Sequence, residues 1–375
     1  MPSPSFGIAS GEGSAVTSIL KPSINWLLAL IPITLYLEHA HASPPLVFFS
    51  AAIGIVPIAG LIVHSTEELA KRTGDAIGGL LNSTFGNAPE LIIMIVALKA
   101  GYIRMVLASL AGVILANLLL AVGVGFLLGG LRYKEQRYNA EASRMYATMM
   151  LIAVISLMSP GIFSSVFAPE STIIQEHYVN IGLAVVLLLL YGLYLVFMLR
   201  THPDVFESEG GGEEESHGKS WSLPRAVGTL LGASVLAAWM SEILVGAAEG
   251  TGESLGMSQA FMGIVFLALV GGAAESGSAV AMARKNKVDL TMGIALGSSI
   301  QIALFVAPVL VLASYFIAPV PLQLDFGGPL SGILFLGVFI AVIVAGGGRS
   351  NWFKGAQLIA VYAIFALLFY FVPTR

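Results

Sequence analysis

Residues 78–98 read GGLLNSTFGNAPELIIMIVAL, and residues 263–283 read GIVFLALVGGAAESGSAVAMA. The two stretches share a frame. Gly78, Gly86, Ala88 and Glu90 align with Gly263, Gly271, Ala273 and Glu275, each pair 185 positions apart. Each stretch sets one carboxylate deep in an apolar run. The first also carries an amide, Asn87, and a helix-bending proline, Pro89. A carboxylate in lipid is costly and marks a functional site by default. Two of them in matching frames point to one site shared by two halves of a repeated unit.

Composition agrees with a membrane setting. The 375 residues are 57% hydrophobic and 11% charged, with a mean hydropathy of +0.87. A soluble domain carries about 25% charged residues, so most of this chain belongs in lipid. The net charge is −4 and no basic stripe is present, which argues against nucleic acid as a partner. There is no cysteine, which excludes disulfides, thiolate metal sites and cysteine nucleophiles. Residues 1–20 are polar and Ser/Gly-rich. They lack the basic start and small-residue cleavage site of a signal peptide, so a short disordered tail is expected there.

A transmembrane helix needs about 20 mostly apolar residues. Candidates fall at 22–41, 45–70, 74–98, 102–130, 139–159, 176–200, 224–252, 258–283, 289–317, 329–347 and 353–372. The runs are long and do not alternate, so they read as helices. The expected fold is an all-α integral membrane protein with eleven transmembrane helices. Charge placement fits that count. With eleven spans, fifteen of the eighteen Lys and Arg fall on one side, leaving Lys99, Arg104 and Arg375 on the other. The positive-inside rule then puts the N-terminus in the cytoplasm.

The longest polar connection is the acidic linker at 201–223, with Glu207, Glu209, Glu213, Glu214 and Glu215. It reads as a solvated cytoplasmic loop. It divides a first five-helix repeat at 45–200 from a second at 224–372. Five is odd, so the second repeat is inverted relative to the first. The helix at 22–41 stands outside the repeat. Inverted repeats with a site near mid-membrane are a transporter architecture.

Eight residues separate Glu90 from Lys99, and eight separate Glu275 from Arg284. That is about 13 Å along a helix, near the middle of a core about 30 Å thick, reached from opposite sides. Gly86, Gly271 and Gly272 let backbones approach closely. Pro89 is expected to free a carbonyl near Phe85 and Gly86. Neutral oxygens lie in the helices that follow: Asn117 after the first motif, Ser298, Ser299 and Gln301 after the second. Carboxylates, amides and freed carbonyls make the all-oxygen set that a hard divalent cation takes. Such a pair can hold protons or a cation, but not both at once, which is the chemistry of antiport. Interhelical hydrogen bonding is the plainer use of the same polar groups, worth about 0.6 kcal/mol each.

Further acids end the helices that precede the motifs. His64, Glu67 and Glu68 share a face, and Glu242, Glu249 and Glu253 form a stripe. Glu68 at one end, and Glu242, Glu249 and Glu253 at the other, are expected to line acidic vestibules that gather cations. Glu67 reads as an interfacial carboxylate, snorkelling to water or paired with Lys71 or Arg72.

HSTEELAKRTGDAIGGLLNSTFGNAPELI at 64–92 and MARKNKVDLTMGIALGSSIQIALFVAP at 282–308 closely resemble the calcium/proton exchanger (cation/proton antiporter) family of the calcium:cation antiporter superfamily. The resemblance runs from the second span to the last. It implies two inverted five-helix repeats, Ca2+ and protons as transported ions, no cofactor, and alternate binding of cation and proton by Glu90 and Glu275. The chain departs from the usual pattern where Gly272 replaces an asparagine, Ser276 a histidine and Ala116 a serine. The short tail and compact loops suggest a prokaryotic cell membrane, with a vacuolar membrane as the alternative, and a homo-oligomer is left open. Na+/Ca2+ exchange is a variant of the same fold. A passive cation channel is disfavoured because the chain carries its own inverted duplication, whereas channels usually build rings across an oligomer axis. An intramembrane hydrolase lacks an activated nucleophile.

Overall fold

The computed structural model describes residues 24–73, 75–206 and 221–371. The tail at 1–20 and the linker glutamates at 207–215 lie outside the described residues. The described residues are mostly helical: α1 Ile24–His39, α2 Pro44–Thr73, α3 Asp75–Phe85, α4 Ala88–Lys99, α5 Ile103–Tyr133, α6 Ala140–Phe167 and α7 Ile173–Thr201. After the linker come α8 Leu223–Leu255, α9 Gln259–Gly271, α10 Ala273–Arg284, α11 Val288–Ile317, α12 Gly327–Ala345 and α13 Trp352–Tyr370.

Eight of these, α2, α5 to α8 and α11 to α13, are each long and apolar enough to cross a membrane. The pair α9–α10, bent by 62°, makes a ninth among the described residues. The apolar run at 74–98, read from sequence as one helix, is instead two, parted at Gly86–Asn87. The run at 258–283 is parted at Gly272. Pro89 therefore does not bend a continuous helix. It sits in the first turn of α4, where its missing N–H leaves no bond unmade.

Local chemistry sets the ends. Asn139 caps α6 by accepting from the N–H groups of Glu141 and Ala142. Thr172 and Gln175 form a reciprocal capping box on α7. Gly256, in the left-handed region at φ 67°, terminates α8. One feature is not helical. Two three-residue strands, β1 Glu135–Arg137 and β2 Arg349–Asn351, pair antiparallel and tie the turn after α5 to the turn before α13.

Contacts between elements are reciprocal across the chain. α2 lies along α8; α4 packs on α8 while α10 packs on α2. The C-terminal half of α5 meets α10 and α13, and that of α11 meets α4 and α7. α5 is the innermost helix: 94% of its most apolar stretch is buried, against 28% for α6, α7 and α13. It crosses α9 at backbone contact. A Cβ on Gly263 would stand 2.8 Å from the Ala108 Cβ, and one on Gly112 would stand 2.6 Å from the Ile264 Cα. Small residues permit that approach.

Candidate functional site

The two motifs meet at their helix breaks. A Cβ on Gly271 would stand 2.9 Å from Cγ of Glu90, so only glycine allows Glu90 its place. A Cβ on Gly86 would lie 3.8 Å from Oε1 of Glu275. Each motif's glycine thus faces the other motif's glutamate.

Neutral polar groups close around them. Asn87, at the start of α4, donates from Nδ2 to Oε1 of Gln301 on α11. Ser298 Oγ stands 2.7 Å from Asn87 Oδ1 and also contacts Oε2 of Glu275. Asn117 Nδ2 donates to Ser298 Oγ at 3.1 Å. One network therefore joins α4, α5, α10 and α11. Asn117 and Gln301 both sit at π-helical segments, Ala116–Ala121 and Ile302–Val306. Such bulges inside α-helices are frequent at functional sites.

The two glutamates differ. Both carboxylate oxygens of Glu90 are buried and have no hydrogen-bond partner among the described residues. Glu275 is half-buried and borders a cavity of about 290 Å³. Gly86, Ser298 and Gln301 line that cavity beside Glu275; Glu67, Asn139, Phe206 and Asp289 line it farther out. It therefore runs to the end of the bundle where α2 and α7 finish and α6 and α11 begin, the end bearing Lys71, Arg72, Arg144 and Arg284. Among the described residues no group of three or more His, Cys, Asp or Glu is arranged to hold a metal ion. A cation here would rest on two carboxylates and on amide and hydroxyl oxygens, a donor set that suits a hard divalent ion.

Not every candidate residue joins this network. Ser299 donates to the Ala295 carbonyl of its own helix at 2.8 Å and faces away. Glu68 does not line the cavity. Its buried carboxylate binds Lys71 Nζ at 2.7 Å and accepts from the Trp221 N–H at 2.7 Å. Its neighbour Glu67, read from sequence as the ordinary interfacial acid, is the one on the cavity wall. Glu242, Glu249 and Glu253 are exposed on α8 and do not line this cavity; Glu249 accepts from the Tyr102 hydroxyl at 3.2 Å. Gly272 and Pro89 lie at the breaks themselves. Sequence reasoning did not select Asp289, Asn139 or Ser278, which also line the cavity. Asp289 and Asn139 sit in the turns that begin α11 and α6, and nothing in their spacing relates them to the central motifs.

The Sodium/calcium exchanger protein family matches this chain at residues 43–200 and 225–371. A Ca(2+)/H(+) antiporter of Aphanothece halophytica is 39% identical over 361 residues, covering 92% of this chain and 96% of its own. The Ca(2+)/H(+) antiporter ChaA of Bacillus subtilis is 38% identical over 342 residues, with 91% and 96% covered. The solved structure of native YfkE superposes with a TM-score of 0.80 at 35% identity, covering 93% of this chain and all of that one.

Proposed function

The chain belongs to the sodium/calcium exchanger protein family, and from that membership we propose that it is a membrane antiporter exchanging Ca2+ for H+. The observation that carries the reading is the placing of Glu90 and Glu275 at two helix breaks, each beside the other motif's glycine, with a network of neutral polar groups joined to Glu275. Ca2+ and protons are the cargo. Glu90 and Glu275 bind them in turn, and Asn87, Asn117, Ser298 and Gln301 supply or orient the remaining oxygens.

Hydrogen-bond accounting supports this division of labour. Ser298 has one hydrogen and two acceptors in reach, Asn87 Oδ1 and Glu275 Oε2. A proton on Glu275 resolves the conflict. Glu275 then donates to Ser298 Oγ, and Ser298 donates to Asn87, while Asn117 donates to the second lone pair of Ser298. Removing that proton turns the Ser298 hydrogen towards Glu275 and frees Asn87 Oδ1 to face a cation. An ionised Glu90, buried with no hydrogen-bond partner among the described residues, would cost several kcal/mol, so it too carries a proton or a cation.

The cavity at Glu275 opens towards the end rich in Lys and Arg, which we assign to the cytoplasm. Counting α1 and the α3–α4 pair as crossings gives eleven spans, one plus two inverted sets of five, with the N-terminus cytoplasmic. The reciprocal contacts of α2 with α10 and α8 with α4 fit that inversion. Alternating access then exposes the two carboxylates to one side and then the other. A prokaryotic cell membrane is the setting we assign. The test is transport in proteoliposomes. An outward-directed proton gradient should drive Ca2+ uptake, and an outward-directed Na+ gradient at equal pH should not. Uptake driven by Na+ alone would overturn the proton assignment.

A further inference from the structure

Gly272 stands where the first half of the chain has Asn87. The backbone gives no reason for a glycine there. Its φ of −77° and ψ of 6° are open to any residue and close to the −93° and 21° of Asn87. Both residues also cap the same kind of break, each accepting from the N–H four residues on, Leu91 for Asn87 and Ser276 for Gly272. The difference lies in what a side chain would meet. A Cβ on Gly272 would stand 3.6 Å from Asn117 Oδ1 and 3.8 Å from Glu90 Oε1. The Ala268 carbonyl at 3.3 Å would have to give by only a few tenths of an ångström. A side chain here would point at Glu90 and Asn117, as that of Asn87 points at Gln301 and Ser298. The glycine therefore leaves the Glu90 side of the site one amide short, and among the described residues the oxygens of Glu90 have no hydrogen-bond partner.

We propose that Gly272 is the size-determining position of the cation site: it leaves room for water to replace an amide ligand beside Glu90, and so admits divalent cations larger than Ca2+. The proposal rests on the antiport reading above. A Ca2+ ion takes about six to eight oxygens at adjustable distances. An amide oxygen fixed to a helix end sets one of those distances. A water molecule, needing about 30 Å³, moves with the ion. The half-site at Asn87 is rigid, and the half-site at Gly272 is adaptable.

The experiment compares proton-driven uptake of Ca2+, Sr2+ and Ba2+ by proteoliposomes of the wild type, Gly272→Asn, Gly272→Ser and Gly272→Ala. The wild type should carry Sr2+ at a rate close to that of Ca2+. Gly272→Asn should raise the Ca2+:Sr2+ uptake ratio by about ten-fold, the scale on which neighbours of a bound metal tune its affinity. Gly272→Ser, with a shorter oxygen arm, should shift it in the same direction by less. Gly272→Ala displaces water without supplying an oxygen and should slow all three ions without sharpening the ratio. An unchanged ratio in both oxygen-bearing variants would overturn the proposal, as would Asn and Ala variants that behave alike. If Gly272→Asn does not fold, Gly272→Ser alone decides the outcome. A wild type with no proton-coupled flux of any of these ions would instead overturn the antiport reading.

Discussion

Ser298 and Ser299 are adjacent and chemically identical, yet they differ in everything that matters here. Ser298 contacts Asn87, Asn117 and Glu275, whereas Ser299 bonds back to the Ala295 carbonyl. Successive residues on a helix point about 100° apart, so only one of the two can face the site. Ser298→Ala removes the hydroxyl through which Asn117, Asn87 and Glu275 communicate. We expect it to weaken the apparent Ca2+ affinity of proteoliposomes about 10- to 100-fold. Ser299→Ala gives up only an intrahelical bond and should stay within about two-fold of wild type in the same flux assay. Glu67 and Glu68 differ in the same way. Sequence spacing placed both acids near the end of α2 and gave the vestibule to Glu68, whereas Glu67 is the one on the cavity wall. The rotation of α2 about its axis decides that, and packing along α8 sets the rotation.

Broken helices were legible as motifs, because glycine, asparagine and proline stand where an apolar run should continue. Their form was not. Pro89 suggested a kink within a helix, and the chain instead ends one helix at Phe85 and begins another at Ala88. The repeat singled out Glu90 and Glu275 without coordinates, and Asn87, Asn117 and Gln301 stood out as polar groups in apolar runs. The β1–β2 pair could not be found that way, since it joins three residues at 135–137 to three at 349–351 with no hydrophobic pattern in either. The crossing of α5 and α9 is the contact on which the central packing depends most tightly. Gly263→Val places two methyl groups against the Met105 carbonyl and Ala108. Overpacking of this kind costs about 1–3 kcal/mol or more. Purified Gly263→Val should therefore melt at a lower temperature in detergent than wild type. A substitution at Gly228, which has nothing within 4 Å, should leave the melt unchanged.

Across the whole molecule, alternating access requires that one end of the site be open while the other is shut. The chain has no cysteine, so single cysteines can report access without background. Ser278→Cys lies on the cavity wall and Glu249→Cys on the exposed face of α8. In oriented membrane vesicles, a charged thiol reagent should reach Ser278→Cys only from the cytoplasmic side, and Glu249→Cys only from the other. Beneath access lies the exchange itself: one pair of carboxylates holds either protons or a cation. Proton release on Ca2+ addition to the purified protein, in weakly buffered detergent solution, tests it most directly. The wild type should release protons in proportion to the Ca2+ bound, and Glu275→Gln and Glu90→Gln should each release fewer and bind Ca2+ more weakly. Stoichiometric Ca2+ binding with no proton release by the wild type, or full release by either variant, would contradict it.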